Sequence, residues 1–302
     1  MLNVLEISRM TNHNGPGLRT LVHFKGCPLK CKWCSTPESQ PTGDEIGFNI
    51  DRCIGCLACT AVCKTGALTP GTDGKAKLNW DICTKCFECL EECYPRALKK
   101  YGTLMSVQEL LAEIQKDALF FKNSGGGVTF SGGEPLMYVN DEMEELYRRV
   151  NAAGITIGVD TTGYVPWESI EKLVPYIDFF LWDLKHMDTK THKEVTGVPN
   201  ELILENLKKV DALTEIDIYI RLPLIPGMTF SEENVRKTCE FVKDLKHLCR
   251  FELVPFHHMG KKRYLYSGRE YLMEDQELIS DEELYKTKSI VESYGIPCYI
   301  NH

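Results

Sequence analysis

Cys27, Cys31 and Cys34 stand in the spacing C-x3-C-x2-C, with Trp33 directly before the last thiol. A 4Fe–4S cube has four irons, and cysteine thiolates ordinarily hold all four. Three thiols on one short loop leave an iron without a protein ligand, and an open metal position is where substrate chemistry takes place. A zinc knuckle or three scattered structural thiols would use the same residue type, so the rest of the chain has to decide. Eleven of the fourteen cysteines fall between Cys27 and Cys93. Clustering of this kind with no export signal at 1–6 points to reduced thiolates on iron rather than to a disulfide scaffold.

Residues 51–63 and 81–93 repeat each other. Each reads C-x2-C-x2-C-x3-C, through Cys53, Cys56, Cys59 and Cys63 in the first run and Cys83, Cys86, Cys89 and Cys93 in the second. Gly66-Ala67-Leu68 and Arg96-Ala97-Leu98 close the two halves in parallel. This is the spacing of a bacterial two-cluster ferredoxin, where the fourth cysteine of each run crosses to the other cube. The expected quartets are therefore Cys53, Cys56, Cys59 and Cys93 for one cube, and Cys83, Cys86, Cys89 and Cys63 for the other. In the ferredoxin pattern proline follows the fourth cysteine directly. Here Lys64 follows Cys63, and Tyr94 separates Cys93 from Pro95.

The elements that must position these thiols read as an α/β domain interrupted by a small α+β one. The chain of 302 residues is 43% hydrophobic and 26% charged, which places it among ordinary globular proteins. A net charge of −8 without a basic stripe gives no footing for nucleic acid. No apolar run is long enough to span a bilayer, so the expectation is a cytoplasmic protein. A strand at 20–25 delivers the first cysteine loop. Helices are expected at 106–121, with Ser106 and Glu109 as a capping box, and at 141–151, 166–174, 202–213, 231–248 and 281–294. Strands are expected at 128–131, 155–160, 179–184, 216–222 and 250–254. Alternating β and α predicts a parallel sheet with right-handed crossovers and a site at the C-terminal strand ends.

Motifs fall at those ends. They are Ser131-Gly132-Gly133-Glu134-Pro135, Asp160-Thr161-Thr162-Gly163, Asp183-Leu184-Lys185, the segment from Arg221 to Gly227, and Pro255-Phe256-His257-His258. Glycine lets backbone approach a ligand closely, and a carboxylate at Glu134 can pair with an ammonium. A turn, a helix cap or a salt-bridged strand end would use the same residues.

Together with Gly26-Cys27-Pro28-Leu29-Lys30-Cys31-Lys32-Trp33-Cys34, these segments resemble the radical S-adenosylmethionine (SAM) superfamily. Within it they resemble the activating enzymes of glycyl radical enzymes. The match runs from Asn14-Gly15-Pro16-Gly17 to His257 and the C-terminal helix. The resemblance implies a partial (β/α)6 barrel over 1–45 and 102–302, with a ferredoxin-like domain inserted at 46–101. It implies three 4Fe–4S clusters, one of them ligated by Cys27, Cys31 and Cys34 with SAM on the open iron. Trp33, Cys34 and Ser35 fall where relatives touch adenine, and Gly132, Gly133 and Glu134 where they hold the amino group. Asp183, Leu184 and Lys185 fall at the sugar and carboxylate contacts, and His257 lies beside the adenosyl group. Asp160, Thr161 and Leu181 match a site for a monovalent cation. Relatives commonly carry aspartate at the position of Asn14, beside the docking glycine loop.

The implied function is anaerobic. An electron from flavodoxin or ferredoxin cleaves SAM to methionine and a 5′-deoxyadenosyl radical, which takes a hydrogen from a backbone glycine of the partner enzyme. No side-chain acid or base is needed for that step. Dehydratases, decarboxylases and C–N or C–S lyases are the candidate partners, bound transiently by a monomer. Two alternatives stand beside it: a radical SAM enzyme acting on a small molecule, and a non-catalytic ferredoxin-type electron carrier whose first triad is structural and which would not need the strand-end motifs. Cys239, Cys249 and Cys298 match no ligand pattern and are expected in the core.

Overall fold

The computed structural model describes residues 1–301. The chain begins with β1 (Leu2–Thr11) and β2 (Arg19–Phe24), which pair antiparallel. Short elements follow: β3 (Glu45–Phe48), α1 (Ala58–Val62), β4 (Leu68–Pro70), β5 (Ala76–Leu78) and β6 (Leu98–Tyr101). Next come β7 (Thr103–Met105), α2 (Val107–Gln115) and α3 (Ala118–Ser124). Regular alternation then runs through β8 (Gly127–Gly132), α4 (Asp141–Ala152), β9 (Thr156–Thr161), α5 (Trp167–Leu173) and β10 (Phe179–Asp183). After α6 (Thr189–Thr196) and α7 (Glu201–Leu213) come β11 (Asp217–Leu224), α8 (Glu232–Val242) and β12 (Leu248–Pro255). The last elements are α9 (Lys261–Tyr266), α10 (Asp281–Glu292) and β13 (Cys298–Ile300).

Nine strands form one sheet in the order β13-β12-β11-β10-β9-β8-β2-β1-β7. The six expected strands, β2 and β8 to β12, are parallel neighbours, and β13 adds to them in parallel. β1 and β7 extend the other edge antiparallel, so the sheet curls as a partial barrel without closing. Side chains alternate between two environments. Val22, Val128, Phe130, Ile157, Val159, Phe180, Trp182, Ile220 and Leu253 point outward into one core, shared with Leu110, Leu146, Ile170, Leu207 and Val235 of the helices. The inward face carries Phe179, Leu181 and Tyr219 as a separate apolar floor.

Arg19 belongs to that floor although it is charged. Its side chain is fully buried, with the guanidinium 4.7 Å from the Phe179 ring centre. It donates to the Thr129 hydroxyl (2.7 Å), to the carbonyls of Pro16, Val128 and Thr156, and to the Thr156 hydroxyl (3.2 Å). A buried cation is tolerable only when its donors are satisfied in this way. Burial still pushes its pKa down to about 10.

Between β2 and β7 the chain builds its own core from Ile46, Phe48, Leu68, Leu78, Ala97 and Leu98, with Cys59, Cys89 and Cys93. β3 pairs with β6 and β4 with β5. The sequence repeat is also a backbone repeat. Gly55 and Lys85, Leu57 and Phe87, and Gly66 and Arg96 are all left-handed, pair by pair.

The expected helix at 106–121 is two helices. Asp117 interrupts it because its carboxylate accepts a hydrogen bond from Thr20 (2.5 Å) and pairs with Arg9. The expected helix at 231–248 ends at Val242, and β12 starts at Leu248. The turn between them is fixed by the Asp211 carboxylate, which accepts from the His247 amide at 2.9 Å. β1, β7, β13, α6 and α9 were not expected. Among the described residues no helix is long and apolar enough to cross a membrane.

Candidate functional site

The triad loop leaves the end of β2 and is held from two sides. The Gly26 and Cys27 amides donate to the Ser39 and Gln40 carbonyls (2.7 and 3.0 Å). On the other side the Lys30 and Lys32 amides donate to the carbonyls of Thr196 and Val195, the last residues of α6 (2.6 and 3.2 Å). Leu29, 1% exposed, anchors the loop's centre. The three thiols then face a cavity of about 310 Å³ at the C-terminal ends of the parallel strands.

Strand ends complete that cavity. The Gly132–Gly133 turn lies against the triad loop so closely that side chains have no room. A Cβ at Gly133 would stand 2.1 Å from the Gly26 carbonyl oxygen, and Gly132 is left-handed. The Gly133 and Glu134 amides donate to the Phe24 and Gly26 carbonyls (2.8 and 2.7 Å), locking turn to loop. Asp160, Asp183, Lys185 and Arg221 bring charge, Trp33 and Phe256 bring apolar faces, and Ser35 and the exposed His257 also line the cavity.

The charges are paired. Lys185 Nζ lies 2.7 Å from the Asp183 carboxylate, and Arg221 Nη1 lies 3.0 Å from that of Asp160. Burial alone would lower the Lys185 pKa, but Asp183 and the Cys31 sulfur outweigh it and the ammonium is held above its ordinary value. Arg221 is raised in the same way, against burial, by Asp160, Asp183 and Glu252. Its buried Nε makes no hydrogen bond but lies 3.7 Å from the Glu252 carboxylate, so the guanidinium is shared between Asp160 and Glu252. Burial pushes the thiols the other way: Cys31 rises to about 12, and Cys27 and Cys34 also rise. Thiols this basic become thiolates once cationic iron displaces their protons.

Four of the expected site residues lie outside the cavity lining. Glu134 turns away: its buried carboxylate accepts from the Thr161 and Thr162 hydroxyls (2.6 and 2.7 Å) and from the Thr162 and Leu136 amides (2.8 and 3.2 Å). With four hydrogen bonds accepted, it braces the β8 turn against the end of β9. Thr161 is committed to Glu134. Leu184 is buried in the outer core, and Leu181 sits beside Asp160 in register with its side chain in the apolar floor. Of the expected cation ligands only Asp160 lines the cavity, and it also accepts from Ser131 Oγ at 2.8 Å. Arg221, Ser131, His23 and Asn14 line it without having been chosen as ligands. Arg221 shares the inward parity of Tyr219, which the sequence could have revealed.

The eight remaining thiols of the cysteine block gather in two groups. One small cavity is lined by Cys53, Cys56, Cys59 and Cys93, another by Cys63, Cys83, Cys86 and Cys89. The Cys59 pKa is raised to about 11 by burial and then by Cys93, Cys53 and Cys56. Backbone amides point at sulfur in both halves: Leu68 donates to Cys63 (3.4 Å), and Ala97 and Leu98 donate to Cys93 (3.2 and 3.3 Å). Among the described residues no three of His, Cys, Asp or Glu close around a single-ion position. Cys239 and Cys298 are buried in the main core. Cys249 packs on the apolar floor.

The sequence matches the Radical SAM superfamily over residues 84–242 and a 4Fe-4S binding domain over 46–69. It is 37% identical to the 4-hydroxyphenylacetate decarboxylase activating enzyme of Clostridioides difficile, over 99% of this chain and 96% of that one. It is 38% identical to the isethionate sulfite-lyase activating enzyme of Desulfovibrio desulfuricans, over 89% and 88%. Among solved structures it resembles a domain of a pyruvate-formate lyase-activating enzyme from Bacteroides vulgatus. That match has a TM-score of 0.50 and 32% identity, and covers 59% of this chain and all of that one. The chain therefore belongs to the radical SAM superfamily and, within it, to the activating enzymes of glycyl radical enzymes.

Proposed function

We propose that this protein installs the radical on a glycyl radical enzyme, using one SAM-binding 4Fe–4S cube on Cys27, Cys31 and Cys34 and two further cubes in the inserted domain 46–101. The observation that carries the reading is the meeting of the three thiols, the Gly132–Gly133 turn, Asp183, Lys185 and His257 in one cavity. When bound, the cube supplies one electron to the sulfonium of SAM, whose cleavage gives methionine and the 5′-deoxyadenosyl radical.

The chain's residues orient and enclose. The tight Gly132–Gly133 backbone leaves space for the amino end of SAM beside the triad. Lys185 and the Arg221 guanidinium provide positive charge for its carboxylate, and Asp183 serves the ribose. Trp33 and Phe256 offer flat apolar faces for adenine, and His257 lies at the exposed mouth. Asp160 is the one member of the cation trio with access to bound SAM, and we propose a monovalent ion there only if Arg221 yields its place. Asn14 and His23 border the part of the cavity left for the partner's glycine. The two quartets serve as four-thiolate cubes that pass electrons from a flavodoxin or ferredoxin. The protein works as a monomer in the cytoplasm.

Reconstituted protein, SAM and a low-potential reductant should yield 5′-deoxyadenosine without oxygen. Adding its partner glycyl radical enzyme should give a glycyl doublet by electron paramagnetic resonance. Cleavage of SAM with radical transfer to a small molecule and none to protein would refute the reading.

A further inference from the structure

A cleft of about 450 Å³ lies between the inserted domain and the barrel, apart from the SAM cavity. Arg52, Arg96, Lys99 and Arg263 line it, against Glu6 and Glu38. Arg263 is neutralised by Glu38 (2.6 Å) and Glu6 (3.2 Å). Arg52, Arg96 and Lys99 are exposed and make no salt bridge among the described residues. The chain as a whole carries −8, so a cationic cleft runs against its average.

The internal repeat supplies a control for these three residues. Their counterparts in the other half are Ile82, Gly66 and Thr69, all uncharged. The copies share a fold, so folding does not require the cations. Arg96 even works against it: its backbone is left-handed (φ 51°), where Gly66 (φ 68°) sits in the other copy. A non-glycine residue there costs about 1 kcal/mol or more, and such strain persists where a side chain is needed in place. Arg52 directly precedes Cys53, and Arg96 stands three residues after Cys93, so the cations flank the quartet Cys53, Cys56, Cys59 and Cys93. Tyr94, between Cys93 and Arg96, is 93% exposed, an aromatic outside every core. Exposed Tyr and Arg together mark binding surfaces.

We propose that this cleft rim docks an acidic one-electron donor protein, whose carboxylates meet Arg52, Arg96 and Lys99 and bring its redox centre to the cube on Cys53, Cys56, Cys59 and Cys93. The inference rests on the proposed function for the presence of that cube. Opposite charge steers encounter and raises association rates by about tenfold or more at low salt, and salt removes the gain.

The test uses the reconstituted holoprotein and the triple variant Arg52→Ile, Arg96→Gly, Lys99→Thr, whose new residues the other half already carries. Iron content and spin quantification first count the clusters; missing insert cubes would overturn the underlying reading rather than the docking site. Bleaching of the insert clusters is then followed by stopped flow. The reductants are a reduced acidic two-cluster ferredoxin, at low and high salt, and the small cation reduced methyl viologen. The expected result is a ferredoxin rate about tenfold lower in the variant at low salt, converging with wild type at high salt. Methyl viologen should reduce both equally. Equal ferredoxin rates at low salt, or equal slowing with methyl viologen, would overturn the proposal.

Discussion

The triad loop and the insert use the same ligand atom in opposite surroundings. In the insert each quartet rings a small cavity, with Cys56 and Cys86 exposed at the surface, and amides of Leu68, Ala97 and Leu98 point at Cys63 and Cys93. At the triad, sulfur opens on a far larger space whose other walls carry Lys185, Arg221, Asp160 and Asp183. Four thiols around one cube would leave no iron open, whereas three thiols facing charged side chains would leave a coordination position and the means to orient what fills it.

The sharpest way to break this contrast is to remove one thiol from each region. Cys31→Ser should abolish SAM cleavage and lower iron by one cube's worth while the insert spectrum persists. Cys56→Ser should leave the SAM-dependent spectral change intact and lose an insert cube. A triad mutant that still cleaves SAM would erase the distinction.

Lys185→Met comes next. It strands the Asp183 carboxylate in a largely buried wall, and breaking such a pair costs about 3 kcal/mol. SAM affinity should fall on the order of 100-fold by equilibrium binding, with insert spectra unchanged. Loss of less than threefold would mean that the cationic wall does not hold SAM.

Acid should separate the regions as well. His192, on α6, is 1% exposed, and burial lowers its pKa from 6.5 to about 4. The unfolded chain then takes up a proton before the folded one. Stability from this residue is complete above pH 6.5 and is lost as pH falls towards 4, by up to roughly 3 kcal/mol. The end of α6 holds the Lys30 and Lys32 amides, so their protection against hydrogen exchange, corrected for the intrinsic pH dependence, should fall between pH 7 and 5. The Leu68 and Leu98 amides should not follow, and His192→Gln should flatten the difference.

The smallest effect is expected at Asn14. Asn14→Asp adds a charge at the cavity edge, and the Thr129 hydroxyl bond to the Asn14 backbone carbonyl (2.8 Å) is kept. SAM affinity should stay within about twofold, while the apparent affinity for the partner enzyme shifts further. An equal change in both would place residue 14 on SAM.

How far the sequence could be read followed the same division. Thiol spacing is local, so both quartets and the triad were visible, as were the six parallel strands whose ends carry glycine and charge. What stayed hidden depends on distant partners. Glu134 looked like a ligand because nothing in Gly-Gly-Glu announces the Thr161 and Thr162 hydroxyls that claim it. Asp117 broke a periodic helix for the sake of Thr20 and Arg9, about a hundred positions earlier. Arg19 lies just before the expected strand at 20–25 and carried no role there; its five bonds and the Phe179 ring make it part of the floor. β1 was the avoidable miss: Leu2 and Val4 alternate with exposed or half-buried neighbours, as a strand buried on one face requires.

The open corner of the triad cube can be probed directly by electron–nuclear double resonance on reduced protein with SAM labelled at its amino nitrogen. The expected result is a nitrogen coupling in wild type that persists in Cys56→Ser and disappears in Cys31→Ser. No coupling in wild type, or one that survives loss of Cys31, would contradict an unprotected iron at the triad.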